Sequence, residues 1–240
     1  MLIWIWIHLL VENISNQRLP GSVVEDAANK PWRPIPAGRL TPSEAQILLR
    51  IAVPVAMGVS RILGSFEASV TLMTLIWLYN DLGGSGSGPW QRNVLNAAGL
   101  SCFGWGAVSV LLGGDDLLNN LLCKWLILLA AVITTTVHAQ DFPDVDGDSA
   151  CGRRTMPLLY GQVWSRYGLA VSLVFWSIVC LTFWDVSSPV VWSATLLIGG
   201  MTAGLTAFHW DPFYDRIVWR LWCLWISVLY LLPLVGRVHV

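Results

Sequence analysis

Seven apolar runs constrain this chain more than anything else in it. They cover approximately residues 44–63, 66–82, 94–113, 119–138, 166–184, 189–209 and 217–235. Each is close to the ~20 residues that a helix needs to cross a bilayer. The rest of the composition agrees. Of the 240 residues, 55% are hydrophobic and 12% charged, about half the ~25% charge of a soluble domain. Fifteen are Trp, a residue that favours the membrane interface. The expected fold class is therefore an all-α integral membrane protein, a multi-helix transmembrane bundle in one domain over residues 1–240. A net charge of −1 gives no reason to expect a nucleic acid partner. The five cysteines are scattered without a CxxC pair and read as small apolar residues. Residues 1–11, MLIWIWIHLLV, lack the basic flank and small-residue site of a cleavable signal. They are too short to span, and are expected to be part of a helix whose beginning is missing, or a segment that dips into the bilayer.

Against this background, the stretch QDFPDVDGDSACGRRTMP, Gln140 to Pro157, stands out. Asp141, Asp144, Asp146 and Asp148 are four of the chain's 15 acidic residues, and Arg153 and Arg154 follow at once. Carboxylates this close repel one another unless a cation sits among them. In a helical turn Asp141, Asp144 and Asp148 share one face and Asp146 points elsewhere. Such a face suits Mg²⁺, which takes one or two carboxylates and completes its shell with water and substrate phosphate. The alternative is a solvated acidic loop with Gly147 at its turn.

A second polar stretch, residues 12–43, contains five prolines and reads as a loop with a short helix at Ser22–Asn29. Thr41, Pro42 and Glu44 form a helix-start signal, with Thr41 as N-cap. Counting spans puts 12–43, 81–93, 139–166 and 210–216 on one side of the membrane. That side carries Arg18, Lys30, Arg33, Arg39, Arg92, Arg153, Arg154, Arg166 and Arg216. The other side has Arg61, Lys124 and Arg237, with Asp115 and Asp116. The positive-inside rule then places both polar stretches, 12–43 and 139–166, in the cytosol on a common face.

Acids and amides at the mouth of an apolar bundle, flanked by Lys30, Arg33, Arg39, Arg153 and Arg154, suit a metal-bound anionic head group on a lipid tail. A diphosphate fits, with Mg²⁺ bridging carboxylate and phosphate oxygens and the basic residues neutralising the remainder. Lys30, Arg33 and Arg39 have a second reading, as anchors of a juxtamembrane loop on anionic lipid. Tyr79, Asn80 and Asp81 end a span and either cap its helix or reach the same site. His138 and His209 read as interfacial residues, Asp211 and Asp215 as members of a solvated turn, and most Trp residues as interface anchors. Arg50 lies within a span, and must face the interior or snorkel.

Two segments resemble the UbiA superfamily of intramembrane prenyltransferases. NKPWRPIPAGRLT, Asn29–Thr41, is similar to the family's N-R/K-P-x-R-P-I-P-S-G-R element. QDFPDVDGDSACGRRTMP is similar to its second motif, D-x-x-D-x-x-x-D then G-x-x-T-x-P, on Asp141, Asp144, Asp148, Gly152, Thr155 and Pro157. The first motif departs from the family pattern. Asp26 holds its last acidic position, but Leu19 and Ser22 stand where two earlier Asp are usual. The form NQ…ED…NKPWRP, with YNDLGG further on, resembles a fungal branch that includes terpene cyclases. The resemblance implies nine helices around a central cavity, so that the first helix would be missing here, with Mg²⁺ as cofactor and an isoprenyl diphosphate, farnesyl or geranylgeranyl, as substrate. It implies Asn16, Glu25, Asp26, Asp141, Asp144 and Asp148 as metal ligands, with Asp141, Asp144 and Asp148 catalytic. Lys30, Arg33 and Arg154 fall to the diphosphate, with Tyr79 and Asn80 added if their helix end reaches the site. Cyclisation is the favoured expectation because the transferase pattern is broken. Transfer to an aromatic or other small acceptor is the alternative, and an inactive truncated membrane protein the second. The fungal resemblance suggests the endoplasmic reticulum.

Overall fold

The computed structural model describes residues 1–113 and 120–236. Asp115, Asp116 and Arg237, used above to assign sides, lie outside the described residues. Those described form helices with no strand among them. The helices are α1 (Leu2–Gln17), α2 (Pro20–Asn29), α3 (Pro42–Ile62), α4 (Phe66–Asn80), α5 (Pro89–Leu112) and α6 (Asn120–Thr136). A 3₁₀ turn, Val137–Asp141, leads to α7 (Val145–Ala150), α8 (Met156–Tyr160), α9 (Gln162–Phe183), α10 (Pro189–Phe208) and α11 (Pro212–Leu231). Six segments are long and apolar enough to cross a membrane: α3, α5, α6 with the 3₁₀ turn, α9, α10 and α11 with its continuation to Leu234. This is a multi-pass integral membrane protein. The expected span at 66–82 is the exception. Helix α4 has 15 residues, and at 1.5 Å per residue its ~22 Å falls short of a ~30 Å hydrocarbon core.

Local signals set the helix boundaries. Proline, whose missing N–H costs nothing in a first turn, opens α2, α3, α5, α10 and α11. The Thr41–Glu44 start is a closed capping box: Glu44 N–H donates to Thr41 Oγ1 at 3.2 Å, and Thr41 N–H to Glu44 Oε2 at 2.8 Å. The expected boundary at residue 11 is corrected. Helix α1 runs on to Gln17, because no breaker intervenes before Pro20, which cannot continue it and restarts the chain as α2. Asn16 therefore sits on a helix rather than in a loop, while Asp26 lies on the short helix expected there, which begins two residues earlier at Pro20. The side chain of Arg50 on α3 is exposed, as the snorkelling reading requires.

The chain divides into two compact units. The first comprises Met1–Thr134 with Asp146–Arg154. Its core includes Trp4, Ile7 and Val11 of α1, Ala52 and Ala56 of α3, Leu72 and Ile76 of α4, and Cys102 of α5. The Trp4 indole N–H donates to both Ser60 Oγ and Ser69 Oγ at 3.0 Å. A Cβ added at Gly106 would overlap the Trp4 ring, so glycine lets α5 approach α1 closely.

The second unit comprises Thr135–Val145 with Thr155 onward. Indole N–H groups tie it together. Trp225 donates to Ser177 Oγ at 2.9 Å, Trp222 to Thr136 Oγ1 at 3.0 Å, and Trp176 to Thr135 Oγ1 at 2.8 Å. Trp4, Trp125, Trp222 and Trp225 are fully buried, which overturns the interface-anchor reading for these four. Buried indole nitrogens need an acceptor, and Ser and Thr supply it where water is absent. Trp6, Trp32, Trp77, Trp164 and Trp210 remain exposed.

Asp215 and His138 also differ from expectation. Asp215 is buried, and receives two hydrogen bonds from the Arg166 guanidinium at 2.7 and 2.8 Å. Asp211, in contrast, is an exposed N-cap that accepts from Phe213 N–H at 2.7 Å. His138 is buried, with Nε2 3.2 Å from the Ser165 carbonyl and its ring edge-on to Phe142. His209 is exposed.

Candidate active site

The polar side chains of the first unit gather where α1 and α4 end and α2 and α7 lie. Glu25 and Asp148, from segments more than a hundred residues apart, are both buried and both bound by Arg153. Arg153 Nη1 is 2.5 Å from Glu25 Oε2 and 3.3 Å from Asp148 Oδ1. Burial opposes the charge on Arg153, but Glu25, with Tyr79 and Asp148, outweighs it, and the guanidinium pKa stands above its ordinary value. Arg92, itself buried, is a second guanidinium close enough to be felt by Arg153.

Beside this pair, Arg33 Nη1 donates to both oxygens of buried Asp26, at 2.8 and 3.0 Å. Asn16 Nδ2 donates to Asn80 Oδ1 at 3.4 Å. Arg18 pairs with Asp81. The Tyr79–Asp81 segment thus ends α4, with Asp81 at its C-cap, and its side chains also meet the polar residues of α1. Glu12, one turn before Asn16 on α1, was not among the expected residues. Burial raises its pKa, and Arg33 works in the opposite direction. Its signal in the sequence was the four-residue spacing to Asn16.

The second motif is anchored to this cluster through Asn29. Gly147 N–H donates to Asn29 Oδ1 at 3.0 Å, and a Cβ added at Gly147 would overlap the Asn29 amide. Gly147 is buried in the short helix α7 rather than at the turn of a solvated loop. Gly147→Ala is expected to push the amide away and break this bond, lowering turnover by about tenfold, the equivalent of ~1.4 kcal/mol. A steady-state assay against the wild-type protein checks it, and unchanged turnover would mean that Asn29 does not position α7.

Not every expected residue falls in this unit. Asp148 belongs to it, whereas Asp141 and Asp144 belong to the second unit. There Asp141 is buried, Asp144 half-buried, and Asp144 N–H donates to the Asp141 carbonyl at 3.3 Å. Asp146 is exposed, as its register predicts. Lys30 is half-buried, and Arg154 is exposed while its neighbour Arg153 occupies the cluster. Arg153 stands among the flanking cationic donors that the sequence suggests, although the resemblance gives the diphosphate to Arg154, and Arg92 figures there only as a loop charge. No sequence rule separates Arg153 from Arg154; side-chain direction at the end of α7 does.

Glu25, Asp148 and Cys151 form a donor group that could hold a metal ion. One atom each of Glu25, Asp148 and Cys151 lies within 4.8 Å of the others. Two of the three donors are carboxylate oxygens, the ligand type that Mg²⁺ prefers. Carboxylates with guanidinium groups alongside make an arrangement that could hold a cation next to an anionic group.

The UbiA prenyltransferase family model matches residues 1–233. The chain belongs to this family, whose members are prenyltransferases or terpene cyclases. Among its relatives, fumagillin β-trans-bergamotene synthase of Aspergillus fumigatus is 33% identical over 182 residues, 76% of this chain and 62% of that protein. A polyprenyl transferase of Hericium erinaceus is 34% identical over 154 residues, 61% of this chain and 50% of its own. The chain thus spans about half to three-fifths of the length of these curated relatives. A solved structure of digeranylgeranylglyceryl phosphate synthase has the same fold, with a TM-score of 0.59 at 16% identity, covering 98% of this chain and 84% of the other.

Proposed function

We propose that this protein is a Mg²⁺-dependent intramembrane enzyme that ionises an isoprenyl diphosphate, farnesyl or geranylgeranyl, and cyclises it. The observation that carries this reading is the buried meeting of Glu25 and Asp148 on Arg153, beside the Asp26–Arg33 pair. Glu25, Asp26, Asp148 and Asn16 are the metal ligands in this reading, and the sequence motif adds Asp141 and Asp144. Arg33, Arg153 and Lys30 donate to diphosphate oxygens, with Tyr79 and Asn80 beside them and exposed Arg154 as a further cation for the same group. When bound, Mg²⁺ supplies positive charge to the departing diphosphate. The guanidinium groups hold the same developing charge through N–H donors already in place, at no cost of reorganisation. What departs leaves an allylic carbocation, which aromatic faces stabilise and an apolar bundle shields from water. The motif segments face the cytosol in this reading, in a single transmembrane domain, and the host membrane is the endoplasmic reticulum.

Transfer of the prenyl group to an aromatic acceptor is the second reading, supported by the polyprenyl transferase relative. Membranes carrying the protein, given Mg²⁺ and farnesyl or geranylgeranyl diphosphate without acceptor, separate the two. A cyclic hydrocarbon detected by gas chromatography–mass spectrometry and abolished by EDTA is the expected result. Consumption of diphosphate only after aromatic acceptors are added would replace cyclisation by transfer. No metal-dependent release of inorganic diphosphate under either condition would reject both.

A further inference from the structure

Cys151 lies in the candidate site without a part in the ionisation reading above. Its N–H donates to the Gly147 carbonyl at 3.0 Å, which carries the turn of α7 one residue past Ala150. Asp148 and Cys151 are therefore three apart on one turn and share a face. Gly152, left-handed at φ +71°, ends the turn, and Arg153 N–H returns to the Asp148 carbonyl at 2.8 Å. The Cys151 thiol donates to that same carbonyl at 3.5 Å. Glu25 reaches this point from α2, so a sulfur and two carboxylates converge with one donor atom each within 4.8 Å of the others. Glu25 and Asp148 are buried, whereas Cys151 is half-buried and keeps part of its surface open.

Mg²⁺ has little use for the sulfur. It takes oxygen ligands, whereas a thiolate selects softer ions such as Zn²⁺. Tetrahedral zinc has Zn–S of about 2.3 Å and Zn–O of about 2.1 Å, so its ligand atoms sit about 3.5 Å apart. Separations of up to 4.8 Å close to that by small side-chain rotations. Each carboxylate has two oxygens, so one can hold Arg153 while the other takes the metal.

We propose that Glu25, Asp148 and Cys151 form a thiophilic metal site that takes Zn²⁺ in preference to Mg²⁺ and so inhibits turnover. Binding converts the Cys151 thiol to a thiolate: the S–H proton leaves to water and the sulfur lone pair goes to the metal. Charge explains the consequence. With Mg²⁺ and a neutral thiol, the two carboxylates and the metal cancel, and Arg153 leaves the group with one net positive charge for a diphosphate. With Zn²⁺ and a thiolate the ligands exceed the metal by one negative charge, and Arg153 only restores neutrality. Zinc with three protein ligands also keeps one open position, whereas Mg²⁺ keeps several for water and phosphate. The effect on turnover rests on the metal reading above; the binding does not.

The test uses the full chain in detergent, stripped with EDTA and kept reduced with a phosphine. Cd²⁺ stands in for Zn²⁺, because its bond to thiolate gives an ultraviolet charge-transfer band. The wild-type protein is expected to show a saturable band that Cys151→Ser loses, although Cys102, Cys123, Cys180 and Cys223 remain. Cys151→Ala reads the same outcome should serine disturb the turn. Asp148→Asn keeps the thiol and is expected to need at least about tenfold more Cd²⁺, since losing a group that merely orients a metal ligand already costs about 10–100-fold in affinity. With Mg²⁺ and farnesyl or geranylgeranyl diphosphate present, Zn²⁺ is expected to halve diphosphate release from wild type at a concentration about tenfold or more below that needed for Cys151→Ser. No band in wild type, or a band that survives Cys151→Ser, overturns the site. Equal Cd²⁺ affinity in Asp148→Asn reduces Cys151 to an isolated thiol and also overturns it. Equal Zn²⁺ inhibition of wild type and Cys151→Ser overturns the regulatory role. No diphosphate release from wild type with Mg²⁺ alone removes the ionisation reading, while the Cd²⁺ titration still decides the site.

Discussion

Asp148→Asn is expected to abolish metal-dependent turnover of an isoprenyl diphosphate while leaving the protein folded. The substitution keeps volume and shape at a side chain that is 0% exposed, and removes one charge. That charge does two jobs in the proposed site. It is a hard oxygen ligand, and with Glu25 it holds Arg153, whose Nη1 is 3.3 Å from Asp148 Oδ1. An amide oxygen ligates Mg²⁺ less strongly than a carboxylate, and Arg153 loses part of the anionic field that fixes it. Loss of one preorganised electrostatic contact in a water-poor site costs about 10²–10³-fold in rate, and the Mg²⁺ activation curve is expected to shift to higher concentration. Asp141→Ala and Asp144→Ala are expected to behave alike through the sequence motif. Asp146→Asn is the control, because Asp146 is exposed and points away; it should be nearly silent. Initial rates of diphosphate release over a Mg²⁺ series check all four. Normal turnover by Asp148→Asn would remove the metal assignment.

Such a test could be designed from the sequence alone for the acids, though not for their partners. The acids were legible because four carboxylates in eight residues, within an apolar chain, have few physical explanations. The capping box at Thr41 and Glu44 was legible because both partners lie within one turn. Register even gave Asp146 as the odd member. What stayed hidden depends on contacts between distant segments. Glu25 meets Asp148 through Arg153 across more than a hundred residues, and nothing local chooses Arg153 over exposed Arg154. Composition misled on Trp as well: the same indole that anchors at an interface is buried where Ser or Thr accepts its N–H, as Ser177 does for Trp225. The end of α1 is hidden for a different reason. Polar residues 12–17 look like loop, although a helix face that meets other polar groups can be polar without ending the helix.

Asp215→Ala is expected to destabilise the second unit more than any other single truncation of a charge there. The sequence HWDPFYD places Asp211 and Asp215 one turn apart and invites the same treatment of both. Their environments differ. Arg166 and Asp215 form a bidentate pair, with side chains 3% and 5% exposed. The guanidinium also donates through Nε to Gln162 Oε1 at 3.0 Å, and lies 4.3 Å from the Phe142 ring centroid. Removing the carboxylate leaves a buried cation without its counter-charge, a loss of about 3–5 kcal/mol. Asp211→Ala removes only an exposed N-cap, worth about 1 kcal/mol. Thermal unfolding in detergent, followed by the fraction remaining monodisperse, should therefore show a large fall in midpoint for Asp215→Ala and a small one for Asp211→Ala. The double replacement Arg166→Met with Asp215→Leu separates the cost of an orphaned charge from the worth of the pair. If the orphaned cation is the cause, the double variant recovers most of the lost midpoint, because an apolar pair of similar volume carries no desolvation penalty. Equal midpoints for Asp215→Ala and Asp211→Ala would mean that the Arg166 charge reaches water, and that the pair contributes no more than an exposed salt bridge.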